Sequence, residues 1–206
     1  MARTTTQLRA HGLPSLRTGD PLFPAQGEWT YEDYLRLPDD GRRYEVLKGV
    51  LYMPPAPGPL HQDAVLNLGA LAKSYLRSNP VGKVYIAPLD VILPGGLATP
   101  VQPDFMYLSN ERRGLVGERV IEGAPDLVAE VLSRSNSVED RRTKFEIYAA
   151  AGVREYWILD PRIQTVEVFI LENGAYTRLG KFGAGEQLRS QVLPGFAPVV
   201  DEIFAA

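Results

Sequence analysis

Between Asp126 and Ser133 the chain reads Leu-Val-Ala-Glu-Val-Leu, a run in which Glu130 is the one polar residue. A stretch this short and this apolar reads as a strand covered on both faces, because a strand with one wet face would alternate. Such a strand belongs inside a sheet that has other elements packed against it. Glu155–Leu159 reads as a second buried strand. A hydrophobic fraction of 45% and a charged fraction of 23% agree with a chain that builds a real core.

The remaining pattern sets other elements around these strands. Thr30 can cap a short helix with Asp33 at the capping-box position, Tyr34, Leu35 and Leu37 on its apolar side and Gly41 as its stop. Residues 43–53 hold two β-prone runs flanking Lys48-Gly49, a hairpin pattern, and Pro54 to Pro59 form a loop. From Leu60 to Arg77, Val65, Leu68, Leu71, Ala72, Tyr75 and Leu76 recur at helical spacing, and Asn79-Pro80 ends the helix. Strands are expected at Lys83–Ala87, Asp90–Leu93 and Asp104–Leu108, with a turn at Pro94-Gly95-Gly96. Residues 110–124 read as a loop with a helical turn. Ser137 can cap a helix reaching Ala151, with Gly152 beyond it. Thr165–Leu171 and Ala175–Leu179 flank Glu172-Asn173-Gly174 as a hairpin. The fold class expected is α/β or α+β, a mixed central sheet flanked by helices. Residues 1–26 read as a flexible tail and 27–206 as a single domain.

Several function classes are already disfavoured. There is no cysteine, which excludes disulfides and thiolate zinc and fits a reducing cytoplasm. His11 and His61 are the only histidines, too few for a multi-histidine zinc site. No segment approaches the roughly 18 apolar residues of a membrane span, and no apolar run follows Arg3 and Arg9 as in a secretory signal. The formal charge of −3 argues against coating nucleic acid by bulk electrostatics, although a local basic patch can still dock it.

Three acids stand inside strand-like runs: Glu45 between Tyr44 and Val46, Asp104 after Pro103 and before an apolar strand, and Glu130. Each has an ordinary reading, as a surface glutamate on a hairpin, a turn aspartate, and a strand-end glutamate paired with arginine. A buried carboxylate, by contrast, needs a cation or donor. Asp140, Lys144 and Tyr148 share a helix face at i, i+4 and i+8, which suits either a solvated ion pair or an amine reaching the end of the preceding strand. Three carboxylates supply hard oxygen ligands for Mg²⁺ or Mn²⁺, and a nearby amine can stabilise charge on a phosphate.

The run Tyr44-Glu-Val-Leu-Lys-Gly-Val-Leu-Tyr-Met-Pro-Pro55 with His61, then Gln102-Pro-Asp104, Glu122-Gly-Ala-Pro-Asp126, Glu130-Val-Leu-Ser133, Lys144 with Tyr148, and Gly152-Val-Arg-Glu-Tyr-Trp-Ile-Leu-Asp160, resembles the Uma2 family of bacterial endonucleases. That family, formerly a domain of unknown function, is placed in the PD-(D/E)XK superfamily. The likeness spans about residues 30–200. It implies a restriction-endonuclease-like core in which Asp104 takes the aspartate of the Pro-Asp motif, Glu130 the second acid and Glu45 an acid from the first part of the core. The signature lysine would stand two residues after Glu130, where this chain has Leu132, and the resemblance implies that Lys144 supplies the amine instead. His61, Gln102 and Tyr148 are expected in supporting roles, Gln102 by ordering a metal-bound water.

The leading expectation is a Mg²⁺- or Mn²⁺-dependent endonuclease cutting DNA. Asp104, Glu130 and Lys144 are its catalytic set, and Glu45, Asp104 and Glu130 its metal ligands. Arg134, Arg141 and Arg142 are the foremost candidates for phosphate contact, with Arg112, Arg113 and Arg119 also near the acidic motifs. A two-fold homodimer is expected from base rates. Two rivals remain: a catalytically inactive member of the fold that binds nucleic acid or protein, and a structural protein whose buried acids pair with Arg42, Arg43, Arg141 or Arg142.

Overall fold

The computed structural model describes residues 23–133 and 138–205, without the side chains of 138–140. Residues 1–22 of the expected tail, the Ser137 cap and Arg134 lie outside the described residues.

Local chemistry sets the boundaries of the first elements. The Thr30 hydroxyl accepts from the Asp33 amide at 3.2 Å and the Asp33 carboxylate accepts from the Thr30 amide at 3.0 Å, giving α1 (Tyr31–Tyr34). This helix is a single turn. Leu35, expected on its apolar side, is 63% exposed because the helix has already ended. The hairpin of β1 (Glu45–Leu47) and β2 (Val50–Tyr52) turns at Lys48-Gly49, both at positive φ, the geometry of a two-residue hairpin turn. Pro59 opens α2 (Pro59–Ser78), where a missing amide costs nothing. This helix buries His61, Ala64, Val65, Leu68, Ala72 and Leu76.

The other elements are β3 (Gly82–Ile86), β4 (Asp90–Leu93), β5 (Ala98–Val101), β6 (Phe105–Ser109), β7 (Val120–Glu122), β8 (Leu127–Val131), α3 (Val138–Ala151), β9 (Glu155–Asp160), β10 (Thr165–Glu172), β11 (Ala175–Phe182) and α4 (Val200–Ile203). They form two mixed sheets, not one. The larger has the order β11-β10-β9-β8-β6-β3, with β8 and β9 parallel across the α3 connection. The smaller has the order β2-β1-β5-β4-β7, with β4 and β7 parallel. Its β5 and β7 escape a reading by pattern. The first contains Thr99-Pro100, and a proline demotes a run; the second is three residues long amid glycines.

The six-stranded sheet is the middle layer, and period-two alternation sorts its side chains. Phe105, Tyr107, Leu127, Ala129 and Val131 pack on one face with α2 and α4. Met106, Leu108, Val128 and Tyr156 pack on the other with α3 and the smaller sheet. Every residue of β8 is buried, as its composition demanded. Glu130 shares parity with Val128, so it faces α3 and the hairpin that carries Glu45.

Candidate active site

Three strands and one helix meet at this face. Glu45 opens β1, Asp104 directly precedes β6, Glu130 is the penultimate residue of β8, and all three are buried. Lys144 comes from α3 and is buried with them. Its Nζ stands 3.1 Å from Glu130 Oε1 and 3.1 Å from Glu45 Oε2, so the helix delivers the amine to both acids. One turn further on, the Tyr148 hydroxyl donates to the same Glu130 Oε1 at 2.6 Å. The i, i+4 spacing therefore aims an amine and a phenol at one carboxylate.

Asp104 is held differently. Its Oδ2 accepts from the Val131 amide at 2.9 Å and meets His61 Nε2 at 3.0 Å. Its Oδ1 faces Arg43 Nη1 at 3.2 Å. The same guanidinium donates from Nε to Gln102 Oε1 at 3.1 Å, from Nη2 to the Gln102 carbonyl, and lies 3.8 Å from Glu45 Oε1. Glu45 Oε1 also accepts from the Gln102 amide at 2.9 Å. The Gln102 side-chain amide donates to Asp90 Oδ1 at 2.7 Å, where the Tyr34 hydroxyl joins it at 3.1 Å. Both ends of the Gln102 side chain are thus engaged by protein.

These surroundings drive the two central carboxyls apart. Burial pushes Glu130 up to about 7, reinforced by the charges of Asp104 and Glu45 and only partly offset by Lys144 and the Tyr148 hydrogen bond. Burial acts on Asp104 in the same sense, but the His61 hydrogen bond and the charges of His61, Arg43 and Lys144 outweigh it. The Asp104 carboxyl therefore lies below its ordinary range.

The donor types suit a hard divalent cation: three carboxylates, with Arg43 joining Glu45 to Asp104 and Lys144 joining Glu45 to Glu130. The arrangement is closed, however. Among the described residues no three acidic or imidazole side chains are disposed around one ion, and Arg43 and Lys144 stand between the carboxylates.

The structure brings together Glu45, Asp104, Glu130, Lys144, Tyr148, His61 and Gln102. Of the expected phosphate contacts, Arg142 is exposed and pairs with Glu146 at 3.0 Å. Arg141 is partly exposed, with a buried Nε that lacks a hydrogen-bond partner among the described residues. Arg112 is anchored to Asp126 and to the Ala124 and Pro125 carbonyls. The sequence pattern marks Arg43 only as an ion-pair partner. The signal for more was its place two residues before Glu45, on the same side of an extended run.

No curated protein matches this chain. A crystal structure described as "a putative nuclease belonging to DUF820" from Anabaena variabilis aligns with a TM-score of 0.71 at 18% identity, over 86% of this chain and 98% of that one, a likeness of fold. A family model described as "Putative restriction endonuclease" matches residues 31–201, and with the fold and the converging acids in place, the chain belongs to the Uma2 family.

Proposed function

We propose that this protein is a metal-dependent endonuclease that hydrolyses DNA phosphodiester bonds by attack of water. The supporting observation is the Lys144 amine at 3.1 Å from both Glu130 and Glu45, with Asp104 joined to Glu45 through Arg43. Glu45, Asp104 and Glu130 would hold Mg²⁺ or Mn²⁺, which when bound polarises the scissile phosphate and acidifies a water. Lys144 stabilises negative charge that develops on the phosphoryl oxygens. In the metal-free site burial pushes the Glu130 carboxyl up to about 7, a bound cation would favour its ionised form, and Tyr148 fixes its Oε1. Asp104 stays ionised, and His61 and the Val131 amide fix its orientation. Phosphate contact from the basic residues of α3, a two-fold dimer and a cytoplasmic setting consistent with the lack of cysteine complete the reading.

Purified protein should nick supercoiled DNA in the presence of Mg²⁺ or Mn²⁺, and Asp104→Ala should abolish this. Cleavage that survives both Asp104→Ala and Glu130→Ala removes the proposal. A second reading, a non-catalytic member of the fold that binds nucleic acid or protein, is favoured by Leu132 at the signature lysine position and by the internal pairing of the acids. Absence of Mn²⁺ binding in calorimetry would select it.

A further inference from the structure

Arg43 and Lys144 both neutralise the acids, but they are built differently. Lys144 comes from a packed helix, and its side chain is 9% exposed. Arg43 comes from the segment leading into β1, and its side chain is 21% exposed, so its guanidinium has a way out to solvent. The two Asp104 oxygens are divided in the same manner. Oδ2 is committed to the Val131 backbone and to His61, and Oδ1 receives Arg43. A cation that coordinates Asp104 through its free direction must take the place of the guanidinium.

We infer that Arg43 is an exchangeable counter-cation, which closes the acidic site when no divalent ion is bound and is displaced when one enters. The inference rests on the metal-ion reading above. The charge balance supports it. Arg43 already sets a positive charge 3.2 Å from Asp104 and 3.8 Å from Glu45, and a dication arriving beside a retained Arg43 would meet like-charge repulsion in a buried site. Displacement removes that repulsion and frees the Asp104 oxygen. Gln102 serves as the latch, because its Oε1 and its backbone carbonyl accept from Arg43 while its amide is braced by Asp90. Arg43 is thus a positioning residue with respect to the metal, and its strength on the acids sets the ion concentration at which the site opens.

Mn²⁺ titration of the full chain by calorimetry tests this, with Arg43→Met compared to wild type and with Arg178→Ala as a control for the lost charge. Arg178 is an exposed partner of Glu167 on β11. Arg43→Met should bind Mn²⁺ about tenfold tighter or more, and Arg178→Ala as wild type does. Binding seen only in Arg43→Met would also support the inference. Wild-type binding that Arg43→Met fails to tighten overturns it while leaving the metal reading intact. No binding by either protein overturns both. Should Arg43→Met not fold, the Arg43 Nε–H resonance of the wild type decides: on adding Mg²⁺ it should shift and exchange faster with water, and an unchanged, protected signal at saturation overturns the inference.

Discussion

The middle sheet buries carboxylates at both of its ends, and the two ends treat them in opposite ways. At one end Glu45, Asp104 and Glu130 share two side-chain cations, Arg43 and Lys144. At the other end Asp126 and Glu155 are fully buried, and each has its own set of partners. The Ser109 amide donates to Asp126 at 2.6 Å, and Arg112 and Arg154 flank it. The Gln191 and Val192 amides and the Trp157 indole N–H donate to Glu155. The Asp126 and Glu155 carboxylates draw on different donors, while the acids of the site share theirs. Burial alone therefore does not mark a reactive carboxylate. Several carboxylates drawing on the same few cations do, because such a set is neutralised only in part and can accept a further cation.

This contrast can be broken most sharply by matched substitutions. Asp104→Asn should lower Mg²⁺-dependent cleavage by at least about a hundredfold in a plasmid assay while leaving the fold intact. Asp126→Asn should leave the metal titration curve unchanged. Asp126→Ala, which removes a fully buried acid and the acceptor of the Ser109 amide, should lower unfolding free energy in urea by about 1–3 kcal/mol. Equal loss of metal response from Asp104→Asn and Asp126→Asn would erase the distinction between the two ends.

Proton linkage sharpens it further. The folded metal-free protein holds the Glu130 proton more tightly than the unfolded chain does. The stabilisation is complete below the ordinary glutamate value of 4.5 and is lost as pH rises to about 7. Asp104, held low, acts oppositely: its contribution is present above the usual aspartate range and is lost as pH falls through its depressed value. Glu130→Gln should thus flatten the stability profile between pH 4.5 and 7, as read by melting temperature against pH. A profile identical to wild type would contradict this. The smallest effect expected is at the exposed rim: Arg142→Ala should reduce the salt dependence of DNA binding by about one phosphate contact and leave melting unchanged.

The main acids were legible because a charged residue inside an apolar strand has few outlets. Glu130 in an all-buried β8 and Asp104 ahead of β6 each had an ordinary reading alone, and stood out as a set and through the family resemblance. Glu155, in an equally apolar run, carried the same signal for a different purpose, since backbone amides from residues 191 and 192 are invisible to a local pattern. The helices and the hairpins followed from periodicity and turn residues. The second sheet did not, because β5 and β7 are short, punctuated by proline or glycine, and specified by partners distant in the chain. Arg43 was underrated for a related reason. Its importance lies in Gln102 and Asp104, some sixty positions away, which only the fold brings near.

Leu132 stands two residues after Glu130, and the amine that meets Glu130 comes from α3 instead. A lysine on the strand itself would be present whenever the sheet was formed. Here it arrives only when a separate helix seats itself, with Ile147 and Tyr148 among the packed residues that hold it. Unseating α3 would leave a molecule with its strands paired and its acids without their amine, so the docking of one helix is a point at which the integrity of this site and foldedness can be uncoupled.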